Sequence, residues 1–258
     1  DIFKMFRGAG WTTLIVKNGN DYQDVENALR WAKESVNKGP IALLLLTVKG
    51  CGISEFEGQA HSHFGPPEDY EGALLELKAH LPPTTKYTKG DYYNPVLNTP
   101  HPLYAAFGEA VREAMEQDDK VVLLTVDTAR DLCVYDLRGQ FPQRVIACGV
   151  AEQNAVSMAS ALALDGYKPI VATYARFLSR SHEQIYNQVT EETQVVYVGS
   201  MAGPLPENGP GVSHESLDDA IWMGTMMPVF EPFQDDLVRK ALIEALVRAG
   251  PTYIRLLQ

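Results

Sequence analysis

Apolar residues run almost unbroken through Ile41–Val48 and again through Val121–Val126, each flanked by polar and turn-forming positions. Runs of that kind predict strands buried on both faces rather than strands alternating between core and water. Shorter β-rich runs follow at Val145–Cys148, Pro169–Thr173, Gln194–Val198, Pro228–Glu231 and Thr252–Leu256. Between them the apolar period lengthens to that of a helix: near Leu103–Glu116, over Glu152–Leu164 with Gly166 as its stop, and over about Asp235–Arg248 before Gly250-Pro251. Strands alternating with helices predict an α/β fold, a parallel sheet covered by helices on both faces. In such sheets ligands bind beyond the carboxyl ends of the strands.

The first eighty residues read as part of a second α/β domain. Asn20 and Gln23 have the spacing of a capping box for a helix over about Asp21–Asn37, Gly39-Pro40 stops it, and Ile41–Val48 follows as a buried strand. A helix over Tyr70–His80 follows Pro66-Pro67, with Leu74, Leu75 and Leu77 on its expected inner face. Periodicity then fades, and Pro82, Pro83, Gly90, Asn94, Pro95, Asn98, Pro100 and Pro102 accumulate as in a connecting segment. The expected division is 1–80, a linker over 81–102, and a larger domain over 103–258.

Composition narrows the function classes. With Lys+Arg 22 against Asp+Glu 33 the formal net charge is −11, and no basic block is present to replace the counterions of a nucleic acid or dock on an anionic membrane. The longest apolar runs fall far short of the roughly 20 residues that span a bilayer. The amino-terminal residues lack the pattern of a secretory signal, and the odd, widely spaced Cys51, Cys133 and Cys148 suit neither a disulfide framework nor a zinc cage. A reducing cytoplasm is the expected location.

Motifs narrow them further. Gly8-x-Gly10 and Gly50-x-Gly52 lack the third glycine of a dinucleotide loop, Thr13 and Glu55 standing in its place, and neither a Walker loop nor a Gly-x-Ser-x-Gly elbow occurs. The most informative acid is Glu152, in Gly149-Val-Ala-Glu-Gln-Asn154, between a strand and a helix of small residues. From the residues alone it reads either as a first-turn acid favoured by the helix dipole or as a functional carboxylate.

Resemblance adds to that reading. Arg144-Val-Ile-Ala-Cys-Gly-Val-Ala-Glu-Gln-Asn154, followed by Ala161-Leu-Ala-Leu-Asp-Gly-Tyr-Lys-Pro169, resembles the pyrimidine-binding domain of the transketolase family of thiamine-diphosphate enzymes. Val122–Asp127, Phe177–Gln184 and Gly250–Leu256 match its pattern in order, so the resemblance covers about Leu103–Gln258. Thr47-Val-Lys-Gly-Cys-Gly52 and His63-Phe-Gly65 resemble the end of the same family's diphosphate-binding domain.

The resemblance implies that Glu152 hydrogen-bonds the aminopyrimidine of thiamine diphosphate and shifts a proton to it, a task suited to a carboxyl group whose burial keeps it partly protonated. It implies that Phe177, with Tyr174 a turn earlier, stacks on that ring, the plain alternative being two core aromatics three positions apart, while Arg180 and Arg176 either steady phosphate or carboxylate groups or stand as solvated charges. His63 and His214 would lie near substrate, where histidine transfers protons at neutral pH; the plain alternative is two loop histidines bonded to backbone or solvent. His61 with His63 as a metal pair lacks further ligands.

This sequence also departs from the family. Asn208 stands where an acid is common, and Gly211-Val212 reads as an insertion before His214. The Gly-Asp-Gly motif that holds Mg²⁺ and the diphosphate is missing, Phe6-Arg-Gly-Ala-Gly-Trp11 resembles the middle of the diphosphate domain, and relatives continue into a third domain. The expectation is one piece of a split enzyme or a fragment, with a partner subunit supplying the Gly-Asp-Gly ligands and a further subunit the third domain. The implied reaction is transfer of a two-carbon ketol or acyl unit from a ketose phosphate or 2-oxo acid. The alternatives are a 2-oxo acid decarboxylating component, since Phe6–Trp11 also resembles the first component of pyruvate dehydrogenase, and a non-catalytic scaffold subunit.

Overall fold

A computed structural model describes residues 1–35, 39–59, 67–80, 101–205 and 211–257. The chain divides into two compact units, Asp1–Val96 and Leu97–Gln258.

In the first unit α1 (Ile2–Gly8) leads into β1 (Thr12–Val16), α2 (Tyr22–Glu34), β2 (Ile41–Leu45) and α3 (Tyr70–His80). The strands pair in parallel, Thr12 opposite Ile41 through Val16 opposite Leu45. Three expectations need correction. The cap of α2 is Asp21, which accepts from the Asp24 N–H at 2.8 Å, because the Asn20 side chain instead accepts from the Val48 N–H at 2.6 Å. The segment expected as a buried strand is half open: Leu45 is 38% and Leu46 57% exposed, since among the described residues β2 pairs with β1 alone. Leu75, expected to face inward, is 67% exposed, whereas Ala73 is buried and Glu76 accepts from the Ser54 N–H and hydroxyl. Ala73 and Glu76 share one helix face by their spacing of three, which turns Leu75 outward.

In the second unit α4 (Pro102–Gln117) precedes a six-stranded sheet of order β4-β3-β5-β6-β8-β7 in which every pairing is parallel. Its strands are β3 (Val121–Thr125), β4 (Val145–Ala147), β5 (Lys168–Tyr174), β6 (Val196–Ala202), β7 (Val229–Phe230) and β8 (Thr252–Leu257). The helices are α5 (Leu137–Gln140), α6 (Glu152–Leu164), α7 (Ala175–Leu178), α8 (His182–Thr190), α9 (Asp219–Gly224) and α10 (Asp235–Val247), with a 3-10 turn at Ser179–Ser181 between α7 and α8.

The two-residue period of a strand sorts this sheet into two cores. Val121, Leu123, Ile170, Ala172, Val196, Val198, Ile254 and Leu256 face a core shared with α4, α5 and α10. Val122, Leu124, Val171, Tyr197 and Tyr253 face the opposite core, closed by α6, α7, α8 and α9. That is the doubly covered parallel sheet the continuous apolar runs demand.

The connections show where a ligand fits. The chain leaving β3 turns to the α5 face, and the chain leaving β5 turns to the α7 face, in keeping with right-handed crossovers in opposite directions along the sheet. Two adjacent strands whose exits part to opposite faces open a crevice at their carboxyl ends. Among the described residues no helix is long and apolar enough to cross a membrane.

Candidate functional site at the carboxyl edge of the sheet

Glu152 is placed by a short backbone device. After β4, Gly149 takes a φ of 66°, a left-handed conformation that glycine adopts without strain, and the chain turns into α6. Ala151 at the N-cap has no side chain to offer the free helix N–H groups, so the first acid of the helix carries the favourable charge there. Glu152 is only 2% exposed. Its ion-pair partner among the described residues is Arg180, with Nη1 3.8 Å from Oε1 and a side chain that is 60% exposed. The carboxylate is buried, held loosely by one solvated guanidinium, and retains capacity to accept or share a hydrogen bond.

An aromatic cluster stands at the end of β5. Tyr174 closes the strand, Phe177 lies in the helical turn that follows, and their ring centroids are 5.0 Å apart. His214 joins them, 5.7 Å from Tyr174 and 5.3 Å from Phe177. Its Nδ1 shares a hydrogen bond with Ser213 Oγ at 3.0 Å. The described arms of its loop are tied to each other, Gly203 N–H donating to Ser216 O at 2.7 Å and Leu205 N–H to Glu215 Oε1 at 3.1 Å. Tyr174, Phe177 and His214 were each legible as candidates, and the fold brings their rings together.

Three further groups at the same edge have no signal in the sequence. Asp131, in the loop after β3, accepts from the Tyr174 hydroxyl at 2.5 Å. Tyr104 of α4 accepts from the Met201 N–H at 2.9 Å, under the end of β6. Asp127 takes a φ of 56° just beyond β3, rare for a side chain other than glycine. Burial, followed by the charge on Asp131, pushes the Tyr174 hydroxyl well above its ordinary range; burial pushes Tyr104 up to about 12. Both phenols are therefore neutral hydrogen-bonding groups at physiological pH.

The remaining candidates divide. Arg176 is exposed and 3.8 Å from Asp218. Arg180 touches Glu152 as described. His63 and His61 lie outside the described residues. A buried carboxylate beside Arg180, one turn beyond a cluster of rings, fits a flat heterocycle that carries a ring nitrogen.

Comparison with known proteins points to one family. Residues 102–257 match the family model described as transketolase, pyrimidine binding domain. The 1-deoxy-D-xylulose-5-phosphate synthase of Marinomonas sp. (strain MWYL1) is 29% identical over 254 residues, 97% of this chain and 37% of that protein. The synthase of the same name from Carboxydothermus hydrogenoformans is 28% identical over 255 residues, again 97% of this chain and 37% of that protein. The chain thus spans little more than a third of these relatives' length. Among solved structures, one titled as a split gene transketolase, inactive beta4 tetramer, superposes with a TM-score of 0.52 at 31% identity, covering 58% of this chain and 50% of that one.

Proposed function

Since the chain belongs to the transketolase family through its pyrimidine-binding domain, we propose that it supplies the aminopyrimidine-holding half of a thiamine-diphosphate site in an enzyme that transfers a two-carbon unit. The observation that carries this reading is Glu152: a carboxylate 2% exposed at the start of α6, loosely paired with Arg180, which follows the Phe177 of the ring cluster by three positions.

Thiamine diphosphate, when bound, supplies the carbanion chemistry. This chain's residues hold and orient it. Glu152 hydrogen-bonds a ring nitrogen and exchanges a proton with it, and the low-dielectric surroundings strengthen that bond. Phe177 offers a flat face to the ring at little entropic cost, and Tyr174, 3% exposed, backs it from within. His214 passes a proton to and from a substrate oxygen. Arg180 and Arg176, both exposed, attract the anionic groups of cofactor and substrate. Mg²⁺ and the diphosphate are left to residues other than these, and the likeness to a structure titled as a split gene transketolase supports a partner subunit as their source.

The unit transferred is more specifically acyl than ketol. A product named 1-deoxy-D-xylulose 5-phosphate lacks the first hydroxyl of a ketose, so forming it calls for an acyl unit, and relatives of that name match 97% of the chain. A 2-oxo acid donor with an aldose phosphate acceptor is then the first substrate pair to try, and a ketose phosphate donor the second.

The test is to isolate the chain with whatever associates with it and measure bound thiamine diphosphate and two-carbon transfer from each donor. Glu152→Ala is expected to lower turnover by at least about a hundredfold, the usual scale of acid–base catalysis. Retained turnover overturns the assignment of Glu152 and favours a subunit that keeps the fold without catalysing.

A further inference from the structure

Across the crevice between β3 and β5 runs a side-chain contact that the proposed chemistry leaves unused. The loop that carries Asp131 is tightly wound: Leu132 N–H donates to Thr128 O, Cys133 N–H to Arg130 O at 3.0 Å and Val134 N–H to Ala129 O at 2.9 Å. Leu132 and Val134 are fully buried, which anchors the backbone on either side of Cys133. Gly108 of α4 presses against the same loop, since a Cβ there would stand 2.4 Å from Cys133 O. Cys133 itself is held at a φ of 57°, a conformation that persists only when its surroundings enforce it.

Asp131 is therefore presented from a rigid loop, and its Oδ2 lies 2.5 Å from the Tyr174 hydroxyl. Tyr174 is 3% exposed and at the same time in ring contact with Phe177 and His214. A phenol fixed at its hydroxyl end cannot swing about its side-chain torsions, so the other edge of the ring is fixed as well. Tyr104 of α4 ties the end of β6 through the Met201 N–H.

We infer that Asp131 is a positioning residue: it locks Tyr174 through the hydroxyl and so sets the ring wall, formed with Phe177 and His214, against which the aminopyrimidine lies. This rests on the thiamine-diphosphate reading above. The contribution is pre-organisation, because a wall already in place spares the ligand the entropy of ordering it. An ionised acceptor holds a phenol more firmly than a neutral one, and asparagine retains an acceptor oxygen at the same reach.

The experiment uses the full chain, with any subunit that co-isolates, as wild type, Asp131→Asn, Asp131→Leu, Tyr174→Phe and the Asp131→Leu/Tyr174→Phe pair. Thiamine diphosphate with Mg²⁺ is titrated calorimetrically, and the ring-proton resonances of ¹³C-histidine-labelled protein are recorded, His214 being assigned from a His214→Gln spectrum. Tyr174→Phe and Asp131→Leu should each weaken binding about tenfold, as loss of one hydrogen bond does, Asp131→Asn by less, and the pair by no more than either single change. The His214 resonances should move together in Asp131→Leu and Tyr174→Phe. Wild-type affinity and unmoved His214 resonances in both Tyr174→Phe and Asp131→Leu overturn the inference, as do losses that add. If even the wild type binds no thiamine diphosphate, the functional reading fails, and the His214 resonances still decide what Asp131 does. Should Asp131→Leu not fold, Tyr174→Phe and Asp131→Asn carry both measurements.

Discussion

Arg255 donates from Nε to Asp219 Oδ2 at 2.8 Å, with the carboxylate wholly buried and the arginine side chain only 10% exposed. The Tyr253 hydroxyl donates to the same oxygen at 2.7 Å, and Arg255 Nη1 reaches on to Glu231. Removing one member of a buried pair leaves an uncompensated charge in the interior. Asp219→Ala is expected to cost about 3–5 kcal/mol in urea denaturation. Replacing both partners, Asp219→Leu with Arg255→Met, is expected to cost less than Asp219→Ala alone, since the half-exposed Glu231 can be solvated. A double variant less stable than the single one contradicts this account.

Gly199, in β6, lies beneath the first turn of α7. A Cβ there would stand 2.3 Å from the Tyr253 hydroxyl and 2.9 Å from the Ala175 Cα, and neither neighbour is a free-ended chain. Gly199→Ala should destabilise the protein by about 1–3 kcal/mol, the scale of overpacking. It should also weaken cofactor binding, because relief comes most easily by lifting the turn that carries Phe177. Thermal melts and calorimetry on the same sample check both, and an unchanged melting temperature refutes the close approach.

How far the sequence spoke for itself depended on what decided each feature. The limits of α6, Glu152–Leu164, and of α3, Tyr70–His80, were legible because local signals set them: a carboxylate in a first turn, a proline pair, a glycine stop. In the second unit β3, β5 and β8 were legible to within a residue at each end because burial on both faces writes itself as continuous apolar runs, whereas the strand expected over Gln194–Val198 runs over Val196–Ala202, its second half hidden by Gly199 and Ser200. Leu75 misled because apolar character alone does not say which side of a short helix has a neighbour. At the site, Glu152 and Phe177 carried recognisable motifs, but Asp131 reads as an ordinary acid in Ala-Arg-Asp-Leu. Its contact with Tyr174 spans 43 positions and arises only when β3 and β5 lie side by side. Tyr104 has the same history, its partner Met201 lying 97 positions away.

The buried phenols make stability sensitive to alkali. Burial raises Tyr104 from 10.0 to about 12, and Tyr174, Tyr197 and Tyr253 are also raised, chiefly by burial. A group whose folded value lies above its unfolded value stabilises the fold below the unfolded value and loses that contribution as pH climbs to the folded one. For Tyr104 the window runs from pH 10 to about 12 and the loss amounts to about 2–3 kcal/mol. Urea midpoints should be flat from pH 8 to 9.5 and fall steeply above pH 10. Tyr104→Phe should be less stable at pH 8, having lost the acceptor for the Met201 N–H, yet should lose less between pH 10 and 11. Parallel pH profiles for the two proteins rule out Tyr104 as a contributor.

Glu152 separates a functional carboxylate from a structural one. If the acid existed only to satisfy the start of α6, removing its charge would cost the helix-terminus interaction, about 0.3–1 kcal/mol, and leave binding untouched. Its burial argues otherwise: at 2% exposure the charge has lost its water, and the guanidinium 3.8 Å away is too distant and too well solvated to replace it. An interior group kept at such a cost in desolvation fits a site better than a scaffold. Glu152→Gln, which keeps the shape and removes the charge, should therefore change the unfolding free energy by less than about 1 kcal/mol in either direction. In the assembled enzyme it should still abolish turnover, because an amide cannot exchange a proton with the ring nitrogen. A variant that loses no more than about 1 kcal/mol of stability, binds thiamine diphosphate as the wild type does and turns over normally would place Glu152 among the structural residues and return the site to Tyr174, Phe177 and His214.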